Sequence, residues 1–186
     1  MNGSKNLRAV NKLLRRIAIT GPESTGKSSL CFQLAKHFKT YCVEEYARNY
    51  IDDLKRPYNL DDIIKIAKHQ LSNENKLAEK ANEFLFCDTE LIVTKIWSEH
   101  KFGICPEWIL ENIESHKYEL YLLCNIDLEW EADPQREHPH LRQHFFDLYK
   151  QELEKREYNF GIVSGEGDER LQNAIKLINN LLFDKT

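Results

Sequence analysis

Residues 21–28 read Gly-Pro-Glu-Ser-Thr-Gly-Lys-Ser, a spacing that suits the binding of a polyphosphate. Gly21 and Gly26 allow backbone conformations in which successive N–H groups turn inward and form a concavity for anions. In this pattern Lys27 reaches the β- and γ-phosphates, and the hydroxyl of Ser28 ligates Mg²⁺. A plain Gly/Ser turn is the alternative, but an apolar strand precedes the segment and a helical pattern follows it, as phosphate binding requires. The predicted phosphate-binding residues are Gly21, Pro22, Glu23, Ser24, Thr25, Gly26, Lys27, Ser28 and Ser29.

An acidic residue, Asp88, directly follows the apolar run 84–87. In a protein with a phosphate-binding loop, a carboxylate at the end of a strand is positioned to hold Mg²⁺, usually through a water molecule. The alternative is that Asp88, with Thr89, caps the next helix. The two roles can coexist, so Asp88 is predicted to belong to the metal site.

Glu45 and Arg48 follow the second predicted strand and lie three positions apart, on one face of a helical turn. A phosphoryl acceptor needs a carboxylate that orients its hydroxyl group or takes its proton, and Glu45 is placed for that role. Glu44 and Asp88 are the other candidates for this base. An exposed i, i+3 ion pair between Glu45 and Arg48, worth a few tenths of a kcal/mol, is the structural alternative.

The segment 127–144 has the composition of a mobile cover over a phosphate site, and we call it the lid. It carries two prolines, three histidines, Trp130 and the cations Arg136 and Arg142. Arginines on a cover would stabilise the negative charge that phosphoryl transfer spreads over phosphate oxygens, and closure would exclude water. Trp130 either stacks on a flat ligand ring or anchors the segment.

The turn that follows the fifth predicted strand contains Gly165. It lies near the expected adenine pocket, where backbone groups could read the edge of the base. A simple strand-to-helix loop is the alternative.

These residues are positioned by apolar, strand-like runs that alternate with helical patterns. Such alternation predicts an α/β fold with a mainly parallel five-stranded sheet and helices on both faces. Ligands of these sheets bind beyond the carboxyl ends of the strands, where the polar residues above are found. The predicted strands are 17–20, 41–43, 84–87, 120–124 and 159–163; the predicted helices are 27–37, one opening at 59, 91–113 with an interruption near 103–106, and 169–182.

The chain of 186 residues fits one domain at 16–186, preceded by a basic arm at 1–15 that is predicted to form a short packed helix. A net charge of −4 argues against general nucleic-acid binding. Apolar runs of the ~18–20 residues needed to cross a bilayer are missing, as is a secretory signal, so a cytoplasmic protein without membrane association is expected. Five scattered cysteines without a C-x-x-C pair are interpreted as thiols in a reducing compartment, with Cys42, Cys87 and Cys124 buried in strand-like runs.

In its order of motifs the chain resembles the ribosylnicotinamide kinase domain of the bacterial NadR family, within the P-loop kinases. The resemblance spans about residues 15–183 and is carried by 21–28, Glu-Tyr-Ala-Arg at 45–48, Phe-Cys-Asp-Thr at 86–89 and the acidic, tryptophan-containing start of the lid. It implies a three-layer P-loop fold and ATP-dependent phosphorylation of the 5′-hydroxyl of nicotinamide riboside to give nicotinamide mononucleotide. The implied catalytic residues are Lys27, Glu45, Asp88 and Arg136; the implied acceptor-binding residues are Glu45, Arg48, Asp88, Trp130 and Asp133.

Two departures from the family pattern matter. The nucleotide motif of the family's adenylyltransferase domain and a helix-turn-helix regulator are missing from these residues, so no step from mononucleotide to dinucleotide is expected. The lid has Asp133-Pro134-Gln135-Arg136 where Asp-Gly-x-Arg is more usual, and proline stiffens the backbone.

A kinase for another nucleoside or small alcohol, and a slow ATP-hydrolysing switch or regulatory ATPase, are the alternative functions. ATP is favoured over GTP because no Asn-Lys-x-Asp motif occurs.

Overall fold

A five-stranded parallel sheet lies at the centre of the protein in a computed structural model, which describes residues 13–183. Its strands are β1 (Arg15–Thr20), β2 (Tyr41–Val43), β3 (Phe84–Asp88), β4 (Leu120–Cys124) and β5 (Phe160–Val163). They are arranged in the order β2-β3-β1-β4-β5, and every neighbouring pair is parallel. The strand that leads into the phosphate-binding segment is therefore central, with Ile17 opposite Phe86 on one side and Leu120 on the other.

Helices connect the strands and cover both faces of the sheet, which confirms the predicted fold class. They are α1 (Lys27–His37), α2 (Tyr46–Asp53), α3 (Leu60–Ala78), α4 (Leu91–Phe102), α5 (Glu107–Ser115), α6 (Arg142–Lys155) and α7 (Gly167–Leu182), with a short 3₁₀ turn at Pro139–Leu141. The predicted interruption near 103–106 separates α4 from α5. α6 was not predicted, although Phe146, Tyr149 and Leu153 have helical spacing and are buried.

The two faces of the sheet bury two separate apolar clusters. Ile17 and Ile19 of β1 pack with residues of α1 and α7, whereas Ala18 packs on the opposite face with residues of α3, α4, α5 and α6. Alternate residues of a strand point to opposite faces, so a strand covered on both faces must be apolar throughout. Each fully buried Ile or Leu contributes about 1.5–3 kcal/mol, and this core fixes the strand ends that carry the site.

A capping box fixes the start of α3. The side chain of Asn59 accepts a hydrogen bond from the Asp62 N–H at 3.1 Å, and the Asp62 carboxylate accepts one from the Asn59 N–H at 2.9 Å. Asp62 is fully buried and also accepts hydrogen bonds from Arg56 and Tyr50. Its pKa lies well below the usual range, above all because of the bond from Arg56. These bonds connect α2 and the segment that follows it to the start of α3.

The interpretation of the cysteines as thiols was wrong for one pair. Cys31 of α1 and Cys42 of β2 form a disulfide, with their Cα atoms 5.9 Å apart. The physical reason is that the chain reverses after α1, so that β2 runs back beneath the helix. Cys87 and Cys124 are buried free thiols, as predicted, and Cys105 is a half-buried one. Burial raises the pKa of each of these three groups.

The predicted N-terminal arm, 1–15, lies outside the described residues except for its last three positions. Arg15 already belongs to β1, and its guanidinium pairs with Glu83 at 2.8 Å. Between residues 13 and 183 the structure contains no helix with the length and apolar character that a membrane crossing requires.

Candidate active site

The phosphate loop, residues 21–29, connects β1 to α1 at the carboxyl edge of the sheet. Gly21 has a φ of +129° and Gly26, at the cap of α1, a φ of +72°. A Cβ atom at Gly21 would lie 3.0 Å from the carbonyl oxygen of Cys124, so both its conformation and its close approach to β4 require glycine. No side chain among the described residues caps α1, which leaves the N–H groups of its first turn for an anion.

A cavity of about 950 Å³ extends from the phosphate loop to α2, α4 and the lid. It is lined by all nine residues of the phosphate loop and by four more of the predicted site residues: Glu45, Arg48, Trp130 and Arg136. Glu44, the neighbouring candidate base, is exposed and does not line this cavity. Predicted donor and acceptor residues thus share one cavity.

Asp88, at the end of β3, does not line the cavity and is only 2% exposed. The pKa of its carboxyl group is raised to about 6, first by burial and then by the negative charge of Glu45. A hydrogen bond from the Ser28 hydroxyl and the charges of Lys27 and Arg48 act in the opposite direction. Ser28, Lys27, Glu45 and Arg48 therefore all influence the charge state of Asp88.

The surroundings of Asp88 fit a magnesium ion. Its buried Oδ1 atom has no hydrogen-bond partner among residues 13–183, and the Ser28 hydroxyl lies beside the same carboxyl group. A carboxylate and a hydroxyl are oxygen ligands of the kind that Mg²⁺ prefers. Asp88 does not cap α4, because Glu90 occupies the cap position and its carboxylate accepts from the Ile92 N–H at 2.6 Å. The structure thus excludes the capping role for Asp88, and its metal role stays a prediction.

Gln70 joins the two halves of the site, and sequence reasoning missed it. Its side-chain oxygen accepts from the Tyr46 N–H at 3.0 Å, next to Glu45, and its amide nitrogen donates to the carbonyl groups of Asp88 at 3.3 Å and Thr89 at 3.4 Å. Thr89 has a φ of +72°, a left-handed conformation that costs a non-glycine residue about 1–3 kcal/mol. Gln70 thereby fixes the position of the start of α2 relative to this strained turn. Its position within a helix gave no sign of this role.

Glu45 occupies the cap position of α2, and Arg48 follows in the first turn. The structural alternative, an ion pair between them, is not formed: the Arg48 guanidinium donates to Asp133 of the lid at 2.8 Å. This hydrogen bond raises the pKa of Arg48 and lowers that of Asp133. Glu45 is thereby left facing the cavity, whereas Asp133 does not line it.

The lid contacts the phosphate loop through its backbone and its arginines. Arg136 donates to the carbonyl oxygen of Glu131 at 2.6 Å and, more weakly, to the hydroxyl of Ser24 at 3.5 Å. Arg142 donates to the carbonyl oxygen of Ser24 at 2.9 Å, and its guanidinium lies 6.0 Å from the ring centre of Trp130. Residues 142–144, the end of the predicted lid, form the first turn of α6.

An aromatic wall, formed by Tyr58, Trp97, His100 and Phe145, lines another part of the cavity. The Trp97 indole N–H donates to the Tyr58 hydroxyl at 3.0 Å, and the rings of His100 and Phe145 meet edge to face at 4.9 Å. Sequence reasoning missed this wall. The i, i+3 spacing of Trp97 and His100 was the available signal, but it could not be told from an ordinary buried helix face.

Gly165 is held by Asp127, at the start of the lid, through a hydrogen bond of 2.7 Å from its N–H. The buried guanidinium of Arg170 donates to Asp127 and to the carbonyl oxygens of Gly165, Thr25 and Asn125, at 2.7–3.0 Å. Arg170 thereby ties the phosphate loop to the ends of β4 and β5. In this region the cavity is lined by Glu166, Gly167 and Arg170, and base reading by Gly165 stays a prediction.

The fold and the site define a P-loop protein with the architecture of the nucleoside and nucleotide kinases. An AAA domain family matches residues 16–170, and the chain belongs to that family. The trifunctional NAD biosynthesis/regulator protein NadR of Escherichia coli strain K12 is 28% identical over 181 residues, which cover 92% of this chain and 44% of NadR. The chain thus spans less than half the length of this relative.

Solved structures show the same fold. NadR in complex with NR superimposes with a TM-score of 0.73 at 21% identity, covering 91% of this chain and 52% of that one. NadR in complex with NAD and AMP-PNP superimposes with a TM-score of 0.70 at 21% identity, covering 94% of this chain and 51% of that one. Thymidylate kinase from Ehrlichia chaffeensis superimposes with a TM-score of 0.67 at 13% identity, covering 91% of this chain and 99% of that one. The resemblance to the NadR kinase domain is confirmed by these comparisons.

Proposed function

We propose that this protein is an ATP-dependent kinase that phosphorylates the 5′-hydroxyl of nicotinamide riboside and yields nicotinamide mononucleotide. The observation that carries the proposal is that one cavity is lined both by the phosphate loop, with Lys27 and Ser28, and by an acceptor-side carboxylate, Glu45. A site that only hydrolyses ATP needs no carboxylate facing a second, aromatic part of the cavity. A kinase needs both parts within one cavity.

The phosphate loop would hold ATP in its ring of N–H groups, with Lys27 on the β- and γ-phosphates. Lys27 Nζ donates to the carbonyl oxygen of Pro22 at 2.7 Å, so its ammonium group already lies inside the loop. Ser28 and Asp88 would hold Mg²⁺, which neutralises phosphate charge when bound. Arg136 would add positive charge from the lid as negative charge builds on the transferred group.

Glu45 would orient the acceptor hydroxyl group and receive its proton. The 5′-oxygen then forms a bond to the γ-phosphorus, while the bond from that phosphorus to the β–γ bridging oxygen breaks and ADP leaves. Glu45 is favoured over Glu44 because it lines the cavity. It is favoured over Asp88 because Asp88 is buried beside Ser28 and suits the metal.

The aromatic wall supports a flat heterocyclic base as part of the acceptor. Ring faces and edges of Tyr58, Trp97 and Phe145 offer stacking surfaces, which contribute about 0.5–1.5 kcal/mol beyond burial for each aromatic pair. Nicotinamide riboside joins such a base to a ribose with a free 5′-hydroxyl. The NadR structure described as a complex with NR adds support for this acceptor.

The test is to incubate the protein with Mg·ATP and a panel of nucleosides and small alcohols, and to measure ADP release and the phosphorylated product. Release that depends on nicotinamide riboside, with nicotinamide mononucleotide as product, is expected. Faster release with another nucleoside would move the assignment to that acceptor. Slow release that no acceptor accelerates would contradict a kinase and favour a nucleotide switch.

A further inference from the structure

Glu23, the third residue of the phosphate loop, directs its carboxylate at the lid. Its Oε2 atom accepts hydrogen bonds from the backbone N–H of Glu137 at 3.1 Å and of His138 at 3.4 Å. Bonds from N–H groups to a carboxylate are about twice as strong as neutral ones. The side chain is half-buried; burial raises the pKa of its carboxyl group, whereas the N–H and charge of His138 and the charge of Lys27 lower it.

Ser24, the next residue, is also bound to the lid. Its hydroxyl accepts from the Glu131 N–H at 2.9 Å and donates to the carbonyl oxygen of Glu129 at 3.4 Å. Ser24 has a φ of +55°, a left-handed conformation that disfavours a residue with a side chain. Two neighbouring phosphate-loop side chains thus contact a segment more than 100 positions later in the chain.

Arg136 lies in the lid between these contacts. It directly precedes Glu137, whose N–H is bound to Glu23, and its guanidinium reaches the hydroxyl of Ser24. The backbone on the C-terminal side of the arginine is therefore fixed by Glu23. An arginine that stabilises a transferred phosphoryl group must be held in place, because a displacement of about 1 Å can cost about 100-fold in rate.

We propose that Glu23 is a positioning residue, which latches the lid to the phosphate loop so that Arg136 is held over the nucleotide, and that it is not a ligand of the nucleotide. This inference rests on the proposed kinase function. Loss of the latch lowers phosphoryl transfer because Arg136 is displaced. It also admits water, whose oxygen attacks the γ-phosphorus and releases phosphate and ADP without an acceptor.

The test compares Glu23→Ala and Glu23→Gln with the unmodified full chain. Glu111→Ala, which removes an exposed carboxylate from α5, is the matched control. In Glu23→Ala we expect kcat for acceptor phosphorylation to fall about tenfold or more, because two hydrogen bonds to a charged group are lost. The Kd of ATP should change by less than about threefold, and the acceptor-independent share of ADP release should rise. Glu23→Gln keeps an oxygen acceptor and should recover part of kcat.

Limited trypsin digestion supplies a readout that needs no acceptor. Cleavage after Arg136 should be faster in Glu23→Ala than in the unmodified protein or Glu111→Ala, relative to cleavage after Lys36 of α1. Unchanged cleavage together with a large loss of ATP affinity would make Glu23 a nucleotide ligand and overturn the latch. Faster cleavage in a protein that phosphorylates none of the acceptors would support the latch and reject the proposed function.

Discussion

Arg48 and Asp133 lie 85 positions apart in the chain, and their side chains meet at 2.8 Å to join α2 to the lid. The amide of Gln135 strengthens this junction, since it donates to the carbonyl oxygen of Arg48 at 3.1 Å and also contacts Asp52. The lid is therefore fixed on α2 by this ion pair as well as on the phosphate loop by Glu23 and Ser24. A partly exposed ion pair adds little to global stability, so its effect should appear in function.

Separating Arg48 from Asp133 should weaken acceptor binding rather than folding. We expect Arg48→Ala and Asp133→Ala each to raise the KM of the acceptor several-fold, and the double variant to be no worse than the more severe single one. Thermal melts should barely change. The exposed Lys150–Glu154 pair of α6 offers the matched control, and its double alanine variant should leave KM unaltered. Additive effects of the two site variants would contradict the coupling.

Lys27→Ala should abolish most ATP turnover while the fold survives. Removal of a charged donor that stabilises charge in a transition state costs about 10²–10³-fold in kcat. The measurement is ADP release at saturating nicotinamide riboside, with circular dichroism as the check on folding. Lys36→Ala, at the exposed end of the same helix, should behave like the unmodified protein. Normal turnover by Lys27→Ala would remove this lysine from the mechanism.

Glu45→Gln should lower kcat far more than it weakens ATP binding. The amide keeps the shape of the side chain but cannot receive the hydroxyl proton, and general-base catalysis contributes about 10²–10⁴-fold. Turnover and the Kd of ATP are measured in parallel. Glu44→Gln, one residue away and exposed, should leave both values near those of the unmodified protein. If instead Glu44→Gln loses turnover and Glu45→Gln does not, the acceptor base is Glu44.

Asp88→Asn should stabilise the metal-free protein at neutral pH. The pKa of Asp88 is raised from 3.8 to about 6 in the folded state, mainly by burial. The folded state therefore binds more protons than the unfolded state between these values, and its stability falls as the pH rises through them. Urea unfolding with EDTA at about pH 7.5 should show a gain of about 1–3 kcal/mol for the variant. The gain should shrink to nothing below about pH 3, where Asp88 is protonated in both states.

Asp62→Asn supplies a control of opposite sign for that measurement. The pKa of Asp62 is lowered, chiefly by its bond from Arg56, so its ionised form stabilises the fold. Asp62→Asn should therefore destabilise the protein at neutral pH, and this loss should diminish as the pH falls through the acidic range. A gain from Asp62→Asn, or a loss from Asp88→Asn, would show that the local charges act otherwise than the structure indicates.

The sheet and the phosphate loop could be predicted because their signals are local. Gly21, Gly26 and Lys27 stand at fixed spacing between a fully apolar strand and a helical pattern, and parallel strands bring their carboxyl ends to one edge. Glu45 and Asp88 were expected to lie near each other because both come at the carboxyl ends of strands of that sheet. The side chain that secures it, Gln70, could not be predicted, because a polar residue within a helix is usually exposed.

Contacts that depend on tertiary geometry could not be predicted either, because no local pattern of residues indicates them. The partner of Arg48 is Asp133, and only the path of the lid brings the two together. The disulfide between Cys31 and Cys42 depends on the reversal of the chain after α1. α6 was overlooked because its first residues share the polar, histidine-rich composition of the lid, while its apolar residues begin only at Phe145.

The central place of β1 in the sheet has a consequence for folding during synthesis on the ribosome. β1 pairs with β3 and β4, whose residues are translated roughly 70 and 100 positions after its own. Until Leu120–Cys124 has left the exit tunnel, one edge of the nascent β1 has no partner, and the carbonyl group of Cys124 cannot yet pack against Gly21. Nascent chains truncated before residue 120 should therefore be unable to retain ATP, however complete their glycine-rich motif.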